Sequence, residues 1–281
     1  MTGSSGQCVS DYMHRQLELV PQEATVVETA RRMRERSLSS ILVESLDRQA
    51  PDCRIVGIIT ETDLVRKVLA QGLNAGLTTA GRVMASPLLT IPPDRPMVDA
   101  SHLMETHKVR HLGVSDGKDV VGLISVRDLV KYFVEAETGP ARALENVYRP
   151  LSVLMRTALE TIGSEETVAT AAKRMAEKHI GSLFVLEAGE TVGIVTESDL
   201  VRKGLAYQLD EHTARVGTLM NSPLLDIDIN RTIRDASDYM AKKRVRHLVV
   251  TENAKVVGIL SARDLVKMVS ARDRPEFLRR T

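Results

Sequence analysis

The sequence predicts an α/β protein made of four β-α-β-β-α units that pair with one another. Two observations predict this fold class: one eight-residue pattern occurs four times, and the residues before each copy alternate between helical and strand periodicity. A three-stranded sheet with helices on one face leaves an edge and a face to be covered, so the units need partners. The copies are GIITETDL at 57–64, GLISVRDL at 122–129, GIVTESDL at 193–200 and GILSARDL at 258–265.

The elements of each unit follow the same order. A short extended piece comes first, such as LELV at 17–20, and a helix with apolar residues at helical spacing comes next, as at Val26, Ala30 and Met33. Two β-rich runs follow, such as RHLVV at 246–250 and KVVGIL at 255–260. The second helix begins at the repeated pattern itself. A methionine opens each unit, at Met13, Met84, Met155 and Met220.

The repeat is nested, because the second half of the chain copies the first at an offset of 136 residues, the step from Asp63 to Asp199. Six extra residues in the first unit fall between 43 and 57, where charges and Pro51 predict a surface loop. The segment 135–149 lacks a strand pattern and predicts a domain boundary. We therefore expect one pair at 1–138, with repeats at about 8–70 and 80–135, and a second at 139–281, with repeats at about 150–207 and 215–270.

Composition excludes several function classes. A net charge of +1 and an aromatic content of 3% give neither a basic footprint nor stacking platforms for nucleic acid, and the basic run at 28–36 is typical of a solvated helix face. Cys8 and Cys53 define no disulfide framework, and no apolar run approaches the roughly 18 to 20 residues of a membrane helix. We expect a cytoplasmic protein with no nucleic-acid or membrane partner.

The repeated pattern has two interpretations. Thr or Ser followed three residues later by an acid is typical of a capping box at a helix N-terminus, which alone accounts for both residues. However, all four copies use Asp where the box prefers the longer Glu or Gln, and each has a glycine that relieves a bulge or admits a close approach. Free amides and a hydroxyl suit a phosphate, and a carboxylate suits the hydroxyls of a ribose. Both interpretations stay open.

These features resemble the CBS domain family, named after cystathionine beta-synthase, in four consecutive motifs over nearly the whole chain. The resemblance implies that consecutive repeats pair through their sheets into two pseudo-twofold modules, often called Bateman modules, whose clefts bind adenosine-containing ligands. It also implies that the hydroxyl and the aspartate of each motif contact phosphate and ribose. These residues are Thr60 with Asp63, Ser125 with Asp128, Thr196 with Asp199, and Ser261 with Asp264.

The family also places basic residues at the start of the middle strand against phosphates. Here VRHL occurs at 109–112 and 245–248, so Arg110, His111, Arg246 and His247 are candidate phosphate ligands. The alternative is a half-buried strand start whose polar side chains point into solvent. Repeats 1 and 3 have the uncharged LSSI at 38–41 and IGSL at 180–183, so we expect one phosphate-rich site per module. The remaining histidines, His102, His107 and His179, lack metal-ligand spacing.

No catalytic motif is present, since there is no Walker-type loop, nucleophile elbow or HExxH sequence. The leading hypothesis is a regulatory protein that requires no cofactor and binds an adenosine nucleotide as its regulatory ligand. The repeats occupy nearly the whole chain, so the signal would pass to a separate, unidentified protein target or through a homodimer. The alternative is a ligand-independent interaction scaffold or oligomerisation module.

Overall fold

The computed structural model describes residues 8–45, 54–135, 150–243 and 245–265 of the 281. Most of the predicted surface loop, Cys53 and residues 136–149 of the predicted boundary segment 135–149 lie outside these ranges. The strands are β1 (Leu19–Pro21), β2 (Ser40–Ser45), β3 (Arg54–Thr60), β4 (Thr90–Ile91), β5 (His111–Ser115), β6 (Val120–Ser125), β7 (Thr161–Gly163), β8 (Ser182–Glu187), β9 (Glu190–Thr196), β10 (Asp226–Asp228), β11 (His247–Glu252) and β12 (Lys255–Ser261).

The helices of the described residues include one short turn just before each opening methionine, which the sequence had not indicated. In repeat 3, the second helix continues from α8 as a π-helical turn at Leu200–Gly204 and a 3-10 turn at Leu205–Tyr207. The α-helices are α1 (Val9–Tyr12), α2 (Val26–Glu35), α3 (Glu61–Lys67), α4 (Ala80–Val83), α5 (Met97–Thr106), α6 (Val126–Glu135), α7 (Val168–Lys178), α8 (Glu197–Asp199), α9 (Val216–Leu219) and α10 (Ile233–Lys243).

Each repeat forms one three-stranded sheet, so the predicted fold class is confirmed. In every sheet the first strand is parallel to the middle strand, and the middle strand is antiparallel to the third. The parallel step is the one that contains a helix, as a crossover connection requires. A bulge interrupts each antiparallel pair beside the motif glycine, for instance between Val43 and Glu44 opposite Gly57. The third strand then ends at the hydroxyl residue that starts the second helix.

The apolar residues that flank each hydroxyl residue anchor the strand-to-helix turn. Ile59 and Leu64 are both 0% exposed in repeat 1, and the corresponding pairs in the other repeats are also buried. This is the arrangement of a hydrophobic staple, in which a residue before the cap packs with one in the first turn. The staple fixes the angle at which each helix leaves its strand.

The chain packs as two compact units, each with its own hydrophobic core. The 1/3 unit consists of Leu17–Leu88 and Leu159–Leu224, and it contains the sheets of repeats 1 and 3. The 2/4 unit consists of the described residues of Met1–Gln16, Leu89–Ala158 and Leu225–Thr281, and it contains the sheets of repeats 2 and 4. The pairing of consecutive repeats through their sheets and the boundary near 139 stay predictions. Among the described helices, none has the length and hydropathy needed to span a bilayer.

Candidate ligand-binding site

The motif hydroxyl and aspartate of the 1/3 unit form capping boxes. The Asp63 Oδ2 atom accepts hydrogen bonds from the Thr60 N–H at 2.9 Å and from the Thr60 hydroxyl at 2.5 Å, and the Thr60 Oγ1 atom accepts from the Asp63 N–H at 3.3 Å. Thr196 and Asp199 repeat this arrangement at 2.9, 2.6 and 3.3 Å. The shorter Asp therefore reaches back to the N-cap amide, which a capping box usually achieves with Glu or Gln.

The 2/4 unit has the same fold-back of the acid. Ser125 donates its N–H and its hydroxyl to the Asp128 Oδ2 atom at 2.8 and 2.7 Å. Ser261 donates the same two groups to the Asp264 Oδ2 atom at 3.1 and 2.5 Å. The capping interpretation thus holds in all four repeats, and one oxygen of each carboxylate is committed to its own helix. The role of these residues in ligand binding stays a prediction.

The other oxygen of each carboxylate, Oδ1, binds a basic side chain. In the 1/3 unit the base lies one turn further along the same helical stretch, because Lys67 and Lys203 are each 2.8 Å from the aspartate of their own repeat. In the 2/4 unit the base comes from a distant segment. His14 Nε2 lies 3.0 Å from Asp128, and an Arg156 guanidinium nitrogen lies 2.9 Å from Asp264. The partner that the short Asp side chain suggested is therefore a basic side chain of the protein in each repeat.

The motif glycine admits the methionine segment that precedes a different repeat. A Cβ atom on Gly57 would lie 2.7 Å from the Ala85 carbonyl oxygen and 2.8 Å from the Met84 sulfur, closer than any real contact. Backbone hydrogen bonds between Ile58 and Ala85 hold the two segments together. Close approach of another backbone is therefore one reason for the glycine. The four contacts pair Met84 with Gly57, Met13 with Gly122, Met220 with Gly193 and Met155 with Gly258.

The strand pairing places the candidate basic residues beside the motif. His111 is directly opposite Ser125 in the sheet register, and His247 is opposite Ser261, so each pair of side chains is adjacent on one face. The carbonyl of Arg110 also accepts the Val126 N–H at 3.0 Å, which satisfies one of the free amides at the start of α6. Repeats 2 and 4 thus each gather a hydroxyl, a carboxylate, a histidine and an arginine around one helix start.

The basic residues lie at half-buried strand starts, and their role as phosphate ligands stays a prediction. His111 is 8% exposed, and both Arg110 and Arg246 are partly buried. Burial, together with the positive charges of Arg246 and Arg110, lowers the pKa of His247 to about 3, and Asp264 offsets this only in part. Because Arg110 belongs to repeat 2 and His247 to repeat 4, a charge of one repeat acts on a titratable group of the other within the 2/4 unit.

The 1/3 unit contains a buried polar cluster that the sequence interpretation missed. Glu61 and Glu197 are 0% and 2% exposed, and each accepts a hydroxyl hydrogen bond from the other repeat. Thr62 donates to Glu197 at 2.7 Å, and Ser198 donates to Glu61 at 2.8 Å. Arg202 also binds Glu61, at 2.9 Å. The signal was present, because an acid follows the hydroxyl residue only in repeats 1 and 3. Helix-start periodicity alone does not reveal contacts between residues that lie 135 and 137 positions apart.

Four tandem sheets with capped helix starts define a repeat protein of the α/β class. The CBS domain profile matches this chain four times, at residues 9–70, 80–135, 151–206 and 216–271. The chain therefore belongs to the CBS domain family, as its resemblance to that family implied.

Relatives of the chain include longer proteins. The CBS domain-containing protein CBSCBSPB5 of Arabidopsis thaliana is 26% identical over 277 residues, which cover 86% of this chain and 49% of the relative. Hypoxic response protein 1 of Mycobacterium tuberculosis is 31% identical over 115 residues, or 41% of this chain and 80% of that protein. The chain spans about half the length of the Arabidopsis relatives that it matches.

Solved structures support the fold. The crystal structure of protein MJ1225 from Methanocaldococcus jannaschii has a TM-score of 0.75 and 17% sequence identity to this chain, and the match covers 93% of this chain and 99% of MJ1225. A conserved protein from Pyrococcus horikoshii has a TM-score of 0.60 at 19% identity and covers 94% of this chain. At these identities the likeness shows the fold alone.

Proposed function

We propose that the protein is a non-catalytic regulatory protein that binds adenosine-containing ligands, such as AMP, ADP or ATP. The observation that carries this proposal is the basic group around His247, which lies opposite the motif residue Ser261. In addition to burial, Arg110, Arg156 and Arg246 all lower the pKa of His247, and Arg156 also binds the motif carboxylate Asp264 at 2.9 Å. Arginine suits phosphate because its planar fork donates two parallel hydrogen bonds. An acid among such bases suits the vicinal hydroxyls of a ribose, so the group combines the two recognition chemistries of a nucleotide.

The same reasoning assigns phosphate-rich ligands to repeats 2 and 4. Repeats 1 and 3 have Ser39 and Gly181 where these repeats have Arg110 and Arg246, so the 1/3 unit lacks the matching guanidinium groups. Neutral His247 is able to accept or donate a hydrogen bond at physiological pH, and a bound phosphate would favour its protonated form. We expect a phosphate to bind with proton uptake at this histidine.

Regulation would follow from linkage between the ligand and the arrangement of the repeats. A ligand shifts a conformational equilibrium only by its difference in affinity for the two states, and phosphate charge that bridges groups from two repeats supplies such a difference. We propose that the protein acts in the cytoplasm and passes this change to a separate protein target or to a second copy of the chain, with no nucleic-acid or membrane partner. The non-catalytic part of the proposal is supported by the four motif aspartates, which occupy similar cap environments. A catalytic pair of carboxyl groups needs different environments, because one group acts as the acid and the other as the base.

Thermal unfolding in the presence of AMP, ADP, ATP or S-adenosylmethionine tests the proposal. A ligand that binds only the folded state stabilises it by RT ln(1 + [L]/Kd), about 2.7 kcal/mol at a hundredfold excess over Kd. The expected rise in Tm is about 5 to 10 °C for a chain of this size. Absence of a shift with all four compounds would contradict the proposal.

Asp128→Asn and Asp264→Asn are the informative variants, because Asn retains a cap acceptor while it removes the charge. Each variant is compared with its own ligand-free Tm, and the ligand-dependent shift should fall. Asp235→Asn is the matched control, since Asp235 accepts the Thr232 N–H at 2.9 Å in a similar cap at the start of α10, outside the motif. If Asp235→Asn reduced the shift as much as the motif variants, cap stability would account for the effect.

The second candidate is a ligand-independent interaction scaffold, and the closed caps favour it. Every motif carboxylate already has an amide, a hydroxyl and a basic side chain as partners, so no ligand is needed to satisfy it. Under this alternative, none of the four compounds raises Tm, and each of the three Asn variants loses only the charge interactions of its carboxylate, about 1 kcal/mol or less.

A further inference from the structure

The bases that bind the motif carboxylates of the 2/4 unit are held there by the backbone. His14 exchanges two hydrogen bonds with Leu123, each 2.9 Å, and Arg156 exchanges two with Ile259, at 2.9 and 3.0 Å. Each residue directly follows an opening methionine, Met13 or Met155, that packs on the motif glycine. The segment therefore delivers one side chain to a fixed position over the aspartate.

These side chains cover the acids from the solvent side. The Asp128 side chain is 9% exposed and the His14 side chain above it is 68% exposed. Asp264 is likewise 9% exposed, beneath an Arg156 side chain that is 47% exposed. Because the Oδ2 atoms serve the caps, a ribose hydroxyl that approaches from solvent has to reach Oδ1, where the covering base is bound.

We propose that His14 and Arg156 are specificity-determining residues of the repeat 2 and repeat 4 sites, where each acts as a displaceable cover that competes with the ribose for its aspartate. This inference rests on the proposed function and deepens it. The covers differ in chemistry, because the guanidinium of Arg156 stays charged at all physiological pH values and the imidazole of His14 does not. The two sites therefore differ in their response to pH.

The sign of this difference follows from the groups that face His14. Asp128 raises the pKa of His14 through the hydrogen bond and the charge attraction, against desolvation and the positive charges of Lys131 and Arg127. The protonated imidazole binds Asp128 most strongly below this raised pKa, and the ion pair weakens as pH rises through that pKa. Affinity at repeat 2 should rise with pH for this reason, whereas the Arg156 cover adds no such rise at repeat 4.

Calorimetric titration with AMP between pH 6 and pH 8 tests the inference on the full chain. Exposed ion pairs are weak, so the affinity of the repeat 2 site should increase by about two- to fivefold over this range, beyond any change common to all variants. His14→Arg gives repeat 2 the permanent cover of repeat 4 and should remove the extra increase. Arg156→His should create the same dependence in repeat 4. Titration of the AMP phosphate affects every variant equally and cancels in the comparison.

Two controls separate the possible failures. Arg15→His places a new imidazole on the next exposed position of the segment and should leave the pH profile of wild type unchanged. In the ligand-free protein, Asp128→Asn should lower the pKa of the His14 imidazole measured by NMR, which reports the ion pair without any ligand. An unchanged His14 pKa would overturn the inference.

The binding results divide the remaining outcomes. If wild type binds AMP and His14→Arg has the same pH profile, the cover is not a competitor and the inference fails while the proposed function stands. If neither wild type nor any variant binds AMP, the AMP-binding function and the inference both fail. If the exchanged variants transfer the dependence from repeat 2 to repeat 4, the inference is supported.

Discussion

Replacement of Arg202 by methionine tests the buried cluster of the 1/3 unit. Arg202 Nε donates to Glu61 at 2.9 Å, and another guanidinium nitrogen donates to the Leu38 carbonyl at 2.8 Å. Glu61 is 0% exposed, so loss of the cation leaves a buried carboxylate with hydroxyl compensation but no opposite charge from this arginine. Removal of one partner of a buried ion pair typically costs about 3 to 5 kcal/mol. We expect Arg202→Met to lower the free energy of unfolding by about 4 kcal/mol.

Urea denaturation followed by circular dichroism measures this loss. With an m-value of about 3 kcal/mol/M, the transition of the 1/3 unit should move by about 1.3 M. Arg66→Met is the matched control, because Arg66 occupies the position of Arg202 one half-chain earlier. Its guanidinium contacts the exposed His179 ring at 3.5 Å and its Nε is buried without a hydrogen-bond partner, so its removal should cost less than about 1 kcal/mol.

A double variant distinguishes the charge from the packing. Glu61→Gln with Arg202→Met removes both charges, and well-packed neutral replacements of a buried pair are often close to neutral in stability. The double variant should therefore recover most of the loss of Arg202→Met. Equal destabilisation by Arg66→Met and Arg202→Met, or a double variant as unstable as Arg202→Met alone, would refute the reasoning.

Three further predictions concern the motif glycine Gly57 and His247. Gly57→Ala should destabilise the protein by about 1 to 3 kcal/mol in a thermal melt, because the new Cβ atom would lie 2.7 Å from a backbone oxygen. Gly163→Ala is the control and should not show this loss, because the nearest atom to its Cβ would be a side-chain carbon at 3.5 Å. The folded pKa of His247, about 3, lies below the ordinary value of 6.5, so the unfolded chain binds the extra proton and stability falls as pH drops below 6.5. His247→Gln should reduce the loss of stability between pH 7 and pH 5 by up to about 2 kcal/mol, and an unchanged acid profile in urea titrations would contradict this origin. NMR titration should also detect a rise in the His247 pKa when a phosphate-bearing ligand binds.

The sequence predicted the repeats, the strand order and the helix starts because each depends on local spacing. The staple around Thr60, for example, is visible as two apolar residues five positions apart, and the structure buries both Ile59 and Leu64. Local spacing also indicated that the motif glycine permits a close approach. Local spacing did not identify the segment that approaches Gly57, because Met84 comes from the segment that opens the next repeat.

The candidate site was harder to predict because its electrostatics depend on contacts between distant segments. Asp128 was assigned to a ribose from the motif alone, but its cover, His14, lies 114 residues away. Nothing in the local pattern distinguishes His14 from any exposed histidine. The contrast between the uncharged strand starts of repeats 1 and 3 and the arginines of repeats 2 and 4 was visible in the sequence, and the two kinds of repeat pack into separate units.

The exchange of methionine segments bears on how such a chain lengthens during evolution. A gene fragment that encodes one repeat and the methionine segment before it supplies the methionine that packs on the motif glycine of a neighbouring repeat. The same fragment lacks the methionine that packs on its own motif glycine. Two consecutive repeats supply these methionines to each other. A pair is therefore the smallest length that can be copied with every motif glycine covered by its methionine. The 136-residue offset between the halves, the length of two repeats, is what tandem copying of such a pair would leave behind.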